Sequence, residues 1–230
     1  VLGLNGGVAQ MTHKTDCLRV YKCMWPMHRF GRAHDGGYVV ALTSTVPDFL
    51  LSGGIENDCS FELDTLRWYQ GLVCDAYDPA SGPAGEHSRY RFYRDRVPPL
   101  TEYGFSQMLV KLDIEGDEWP WLARLLPRER GQIAQLVVEL HTPHGPRWDW
   151  DALARLAETH ALIHAHGNNM DGIVEVDGVR VPGTLETTWL RRDLAGELEL
   201  SSEPIPGPWD MPNDPNKPDH VVDWEPFVSL

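Results

Sequence analysis

Carboxylates and imidazoles interrupt apolar runs at several points of this 230-residue chain, and their spacing sorts them into a few chemistries. In MLVKLDIEGDEW, strand alternation puts Lys111, Asp113 and Glu115 on one face, so two carboxylates reach the same edge. Asp113 follows the apolar MLVKL, and a carboxylate that deep needs a metal, a cation or a hydrogen-bond donor. In QLVVELHTPHG, Glu139 and His141 share a face, and His144 lies on the loop beyond. Imidazole titrates near neutrality and takes protons from hydroxyls, while oxygen and nitrogen donors together suit a divalent ion. A solvated strand end with surface histidines would hold the same residues. In LIHAHGNN, His164, His166 and Asn168 share a strand face, which suits either a metal-ligand pair or a polar strand end bonded to loops.

Two glycine turns add binding chemistry. Gly53 and Gly54, in SGGIEND, let the backbone approach a ligand before a helix starts, although a tight turn alone would also need them. Asp78, in DAYDP, follows at about the twenty-residue spacing at which a carboxylate on the neighbouring strand end accepts both hydroxyls of a ribose. The alternative is a solvated turn before Pro79. In HDGGY, Asp35, Gly36 and Gly37 form either a lid or the turn before the strand YVVAL.

Positioning these groups takes strands, and the hydrophobic period supplies them. Residues 1–37 read as an irregular cap or lid segment, 38–202 as the main domain and 203–230 as a Pro-rich tail that packs on the domain or on a partner. Strands are expected at VPDFLLSGG, LVCDAYD, RYRFYRDRV, MLVKLDI and IAQLVVELH, and then at ALIHAH, GIVEVDGVRV and TLETTWLRR. Helices are expected from Asp58 to Tyr69, from Glu118 to Arg128 and after Asp149. Alternating strands and helices with a closing strand pair argue a doubly wound α/β sheet, whose ligands lie at the strand carboxyl ends.

Composition narrows the partners. With 42% hydrophobic and 23% charged residues the chain suits one domain with a substantial core, and 34 acidic against 20 basic residues, net −14, would repel nucleic acid and anionic membrane. Arginine outnumbers lysine 16 to 4, in keeping with a GC-rich bacterial genome. Cys17, Cys23, Cys59 and Cys74 form neither a zinc pair nor a dense disulfide pattern, and no secretory signal or spanning segment is apparent. A soluble cytoplasmic protein is expected. Edge strands and the tail are the surfaces open to a homodimer.

RFGRAHDGGYVV, LLSGGIENDCSFE, AYDP, LVKLDIEGDEW, LVVELH, IHAHGNN and VPGTLETTWLRR occur in an order and at separations that resemble the FkbM-like branch of the S-adenosylmethionine-dependent methyltransferases. The resemblance spans about Arg29 to Arg192, is most specific at KLDIEGDEW, and departs at Glu56, where the motif carries a small residue. It implies a seven-stranded Rossmann-like sheet with an antiparallel last strand. Ser52, Gly53, Gly54 and Asn57 would lie near the methionine part of the cofactor, Asp78 on the ribose hydroxyls, and Asp113 and Glu115 beside the transferred methyl.

The expected reaction is O-methylation. Asp113, Glu139 and His141 would hold a Mg²⁺ that lowers the acceptor hydroxyl's pKa, and His144 or His141 would take its proton. A sugar or oligosaccharide acceptor is expected, as in sugar O-methyltransferases of methylmannose polysaccharide synthesis, with a phenolic or polyketide-sugar acceptor as the alternative. Asp35, Glu115, His166, Asn168 and Asn169 would contact it, and Trp148, Trp150 and Trp189 would stack on it. Two rivals remain: a metal-dependent hydrolase on His164, His166, His141 and Asp113, and a non-catalytic carbohydrate-binding module.

Overall fold

The computed structural model describes residues 13–142 and 148–228. In chain order the strands and α-helices are β1 (Met27–Gly31), β2 (Gly37–Ala41), β3 (Phe49–Gly53), α1 (Ser60–Trp68), β4 (Cys74–Tyr77), β5 (Tyr90–Tyr93), β6 (Met108–Leu112), α2 (Glu118–Ala123), α3 (Pro127–Gln132), β7 (Ile133–His141), α4 (Trp150–Thr159), β8 (His160–Gly167), β9 (Ile173–Val176), β10 (Val179–Pro182), β11 (Thr184–Arg191) and α5 (Arg192–Ala195). Seven strands make the central sheet in the order β5-β4-β3-β6-β7-β11-β8. Strands β3 to β7 pair in parallel, and β11 runs antiparallel between β7 and β8. This is the doubly wound α/β sheet with an antiparallel last strand that the sequence predicts.

Strand alternation divides the core. Leu51, Val110, Leu136 and Val138 face a cluster with Trp119, Trp121, Leu153 and Leu156, while Leu50, Leu109 and Val137 face one with Phe30, Tyr38, Phe61 and Leu66. Helices α2 and α4 therefore cover one face, and α1 with the β1–β2 hairpin covers the other. Asp149 caps α4, its Oδ1 accepting from the Ala152 N–H at 2.8 Å. Among the described residues no helix is long and apolar enough to cross a membrane.

Three local expectations are corrected. The segment 118–128 is not one helix: α2 ends at Ala123, and Pro127, which favours an extended residue before it, restarts the chain as the first turn of α3. The run 173–182 is not a strand of the main sheet but a separate hairpin, because Asp177 and Gly178, at φ 49° and 80°, turn β9 back on β10. Residues 27–31, expected within the irregular cap, form β1 and pair with β2. Asp35, Gly36 and Gly37 therefore lie at the turn of a hairpin, where Asp35 pairs with Arg32 at 3.1 Å.

Residues 203–228 contain no α-helix and lie against the sheet domain. Ile205 bridges to Val222, and Val222, Phe227 and Val228 enter the larger core cluster.

Candidate active site

After β5 the chain crosses back to lay β6 on the other side of β3, so the β3–β6 boundary is the switch point at which strand-end loops diverge. A cavity of about 510 Å³ opens there, lined by Gly54, Asn57, Asp78, Asp113 and Glu115 among others. Gly54 has φ +76°, and a Cβ on it would stand 1.4 Å from the Asp113 carbonyl oxygen. Only glycine lets the loops after β3 and β6 touch backbone to backbone. Gly53 stands behind this contact, against Val97 and Ile114. Ser52 is fully buried, and its hydroxyl donates to Glu62 rather than facing the cavity.

Lys111 holds the two loops together. Its buried ammonium donates to the Gly54 carbonyl at 2.6 Å and the Gly53 carbonyl at 3.3 Å, and lies 3.6 Å from Asp113 Oδ2. Asp78 does the same at β4. Its Oδ2 accepts from the Ile55 and Glu56 N–H groups at 3.1 and 2.8 Å, and its Oδ1 from those of Ala80 and Ser81, both at 2.8 Å. Burial works to raise the Asp78 pKa, but these N–H donors outweigh it and hold the carboxyl below its ordinary value. Glu56, Asp78, Asp113, Glu115 and Asp117 line the cavity against one cation, Arg96, which is itself ion-paired to Asp117.

Beside the cavity lies a buried polar group joined by Tyr38. Its hydroxyl is 2.7 Å from Asp113 Oδ2 and 3.0 Å from Glu139 Oε2, and Asn168 Nδ2 donates to Glu139 Oε1 at 2.8 Å. One phenolic proton cannot serve two ionised carboxylates, so one of them must carry a proton. Burial, with the charges of Asp113 and Glu186, raises the Glu139 pKa far above the carboxylate range and marks it as the protonated partner.

His141 completes the group. Its Nδ1–H donates to Glu118 Oε1 at 2.7 Å, while Nε2 lies 3.7 Å from Glu115 Oε2 and 3.9 Å from Asp113 Oδ1. Glu118 is fully buried and is oriented by the Ile114 N–H at 3.0 Å. Burial alone would lower the His141 pKa; the hydrogen bond and charge of Glu118, with the charge of Asp113, overcome this and raise it to about 9. His144, the other expected base, lies outside the described residues.

The other expected contacts face residues 203–228. His164 Nε2 lies 2.8 Å from Asp210, and His166 bonds Glu186 at 3.0 Å and Asp219 at 3.1 Å. Asn169 Nδ2 donates to the carbonyls of Asp214, Lys217 and Pro218. The hydrolase expectation, which joins both histidines to His141 and Asp113, finds no such cluster among the described residues. Trp148 and Trp189 are core residues and present no open stacking face.

Tyr38 and Glu118 were missed by sequence reasoning. Their only signals are a tyrosine opening the apolar run YVVA and an acid following Asp117 at the start of a helix.

No family model and no curated protein matches the chain. Among solved structures it is similar to TrmN from Thermus thermophilus, with 16% identity, TM-score 0.36, and coverage of 65% of this chain and 46% of that one. It is similar to CalO1, a methyltransferase in calicheamicin biosynthesis in its SAH-bound form, with 15% identity, TM-score 0.34, and coverage of 63% and 49%. A third is a TehB-like SAM-dependent methyltransferase from Corynebacterium glutamicum, with 15% identity, TM-score 0.36, and coverage of 64% and 83%. The chain spans less than half the length of TrmN and CalO1.

Proposed function

We propose that this chain is an S-adenosylmethionine-dependent methyltransferase that methylates a hydroxyl group, with a sugar or oligosaccharide as acceptor. The observation that carries the reading is the charge of the switch-point cavity, where five carboxylates face one arginine. Dinucleotides bring a pyrophosphate to this position of a doubly wound sheet. Here α1 begins beside Asp58, whose carboxylate already takes the Ser60 N–H and hydroxyl at 3.0 Å and disfavours a phosphate at that helix start. An adenosyl ligand carrying a sulfonium and an ammonium suits such a pocket better than an anionic nucleotide.

When bound, the sulfonium supplies an electrophilic methyl group. The chain's own residues then have to align an acceptor and remove one proton. Neutral His141 accepts that proton at Nε2, and the imidazolium so formed is held by Glu118 at Nδ1. Asp113, fixed by Lys111 and Tyr38, orients the acceptor at the cavity edge. The sugar assignment draws on the family resemblance and on the polar character of this side.

Magnesium fits these donors poorly. Asp113, Glu139 and His141 each bring one atom within 4.8 Å of the others. Yet the Tyr38 hydroxyl bridges the two carboxylates, Asn168 takes the second Glu139 oxygen, and Lys111 already supplies a cation beside Asp113. Mg²⁺ also prefers an octahedral set of oxygens. Turnover that is unchanged in EDTA is therefore expected.

Calorimetry with S-adenosylmethionine and S-adenosylhomocysteine, with and without Mg²⁺, tests the reading. Micromolar binding of both, indifferent to Mg²⁺, supports it and opens an acceptor screen that starts with sugars. Absence of binding in both conditions overturns it.

A further inference from the structure

A ribose presents two neighbouring hydroxyls that need a hydrogen-bond acceptor, and its place in this cavity rests on the proposed cofactor. Asp78 stands at the β4 end but has nothing left to offer. A carboxylate has about four lone-pair positions, and the backbone N–H groups of Ile55, Glu56, Ala80 and Ser81 fill them. Asp78 is also only 5% exposed.

We propose that Glu56, not Asp78, accepts the ribose hydroxyls, while Asp78 serves as the clamp that presents it. Glu56 lines the same cavity as Asp78 and Asn57. Its carboxylate has no hydrogen-bond or ion-pair partner among the described residues. Its backbone lies at φ +46°, in the left-handed region that glycine enters freely and a glutamate enters under strain. The Glu56 N–H donates to Asp78 Oδ2 at 2.8 Å, so the saturated carboxylate holds the strained residue in place. A side chain kept where glycine would be easier, open to a cavity and otherwise unused, is the pattern of a binding residue. Asp78 thus reads backbone, and Glu56 reads ligand.

The test is calorimetry on the full chain with S-adenosylhomocysteine and its 2′,3′-dideoxyribosyl analogue, comparing the wild type with Glu56→Gln and Glu56→Gly. The wild type should prefer the ribosyl compound by about ten- to a hundredfold, the range for hydrogen bonds to a charged group. Both variants should lose that preference while binding the dideoxy analogue as the wild type does. Glu56→Gly should also melt at a higher temperature, because the strain is relieved. Variants that keep the wild-type preference overturn the proposal, as do variants that lose affinity for both ligands equally, since that marks Glu56 as structural. A wild type that binds neither compound removes the cofactor reading, and this assignment falls with it.

Discussion

His141 differs from a surface histidine because a fully buried carboxylate stands behind it. Glu118 fixes the ring through Nδ1, leaves Nε2 to the cavity side and stabilises the charged form. The consequence has a sign. The stability this pair contributes is complete below the unfolded histidine pKa and is lost as pH rises through about 9, while the neutral base form grows over the same range. An NMR titration should therefore find the His141 ring protonating near 9, and in Glu118→Gln lower by roughly one to two units. A midpoint unmoved by Glu118→Gln would remove Glu118 from this role. His141→Ala should suppress methyl transfer while leaving S-adenosylhomocysteine binding intact, whereas His144→Ala should keep most of its turnover; the reverse pattern would hand the base role to His144. Sequence reading reached Asp113, Glu139 and His141 because polar residues inside apolar strands announce themselves. It missed Tyr38, whose partners are 75 and 101 residues away, and no local pattern encodes such a contact.

At the scale of elements, buried parallel strands were legible and half-buried hairpins were not. IAQLVVELH is apolar enough to declare β7 to its ends, whereas MHRFG keeps only Phe30 buried and looks irregular until β2 pairs with it. The Asp-Gly turn at 177–178 was a readable signal, but the apolar residues on both sides of it read as one strand. The segment beyond Ser202 was legible as a proline-rich packing tail but not in its contacts, since its attachment combines single side-chain bonds to β8 and β11 with a few apolar anchors. His166 is one of these bonds. Burial would lower its pKa, but Glu186, Asp210 and Asp219 outweigh that and raise it to about 9. The grip of His166 on Asp219 should hold below the unfolded histidine pKa and loosen as pH rises through about 9. Hydrogen exchange of residues 203–228 at pH 7 and pH 10 should show faster opening at the higher pH, after correction for the intrinsic rate. Equal protection at both would mean that the apolar anchors Val222 and Phe227 carry the attachment alone.

For the whole molecule, the cavity joins the loops after β3, β4, β5 and β6, so a ligand bound there ties one half of the sheet together. S-adenosylhomocysteine at a hundred times its Kd should stabilise the native state by about 2.7 kcal/mol and raise the melting temperature by about 5–10 °C in a chain of this size. A melting curve unchanged at saturating ligand would mean that the cavity does not take adenosyl compounds. The cavity and the buried polar group at the β8 end also differ in when they can exist. The cavity draws on residues between Gly54 and Asp117. The polar group around His164 and His166 is closed by Asp210, Asn213 and Asp219, which bond to His164, Glu186 and His166. During translation the residues of the cavity leave the ribosome well before those that close the polar group. A nascent chain stalled before Asp210 would thus carry the residues of the cavity while His164 still lacks Asp210 and His166, already beside Glu186, still lacks Asp219.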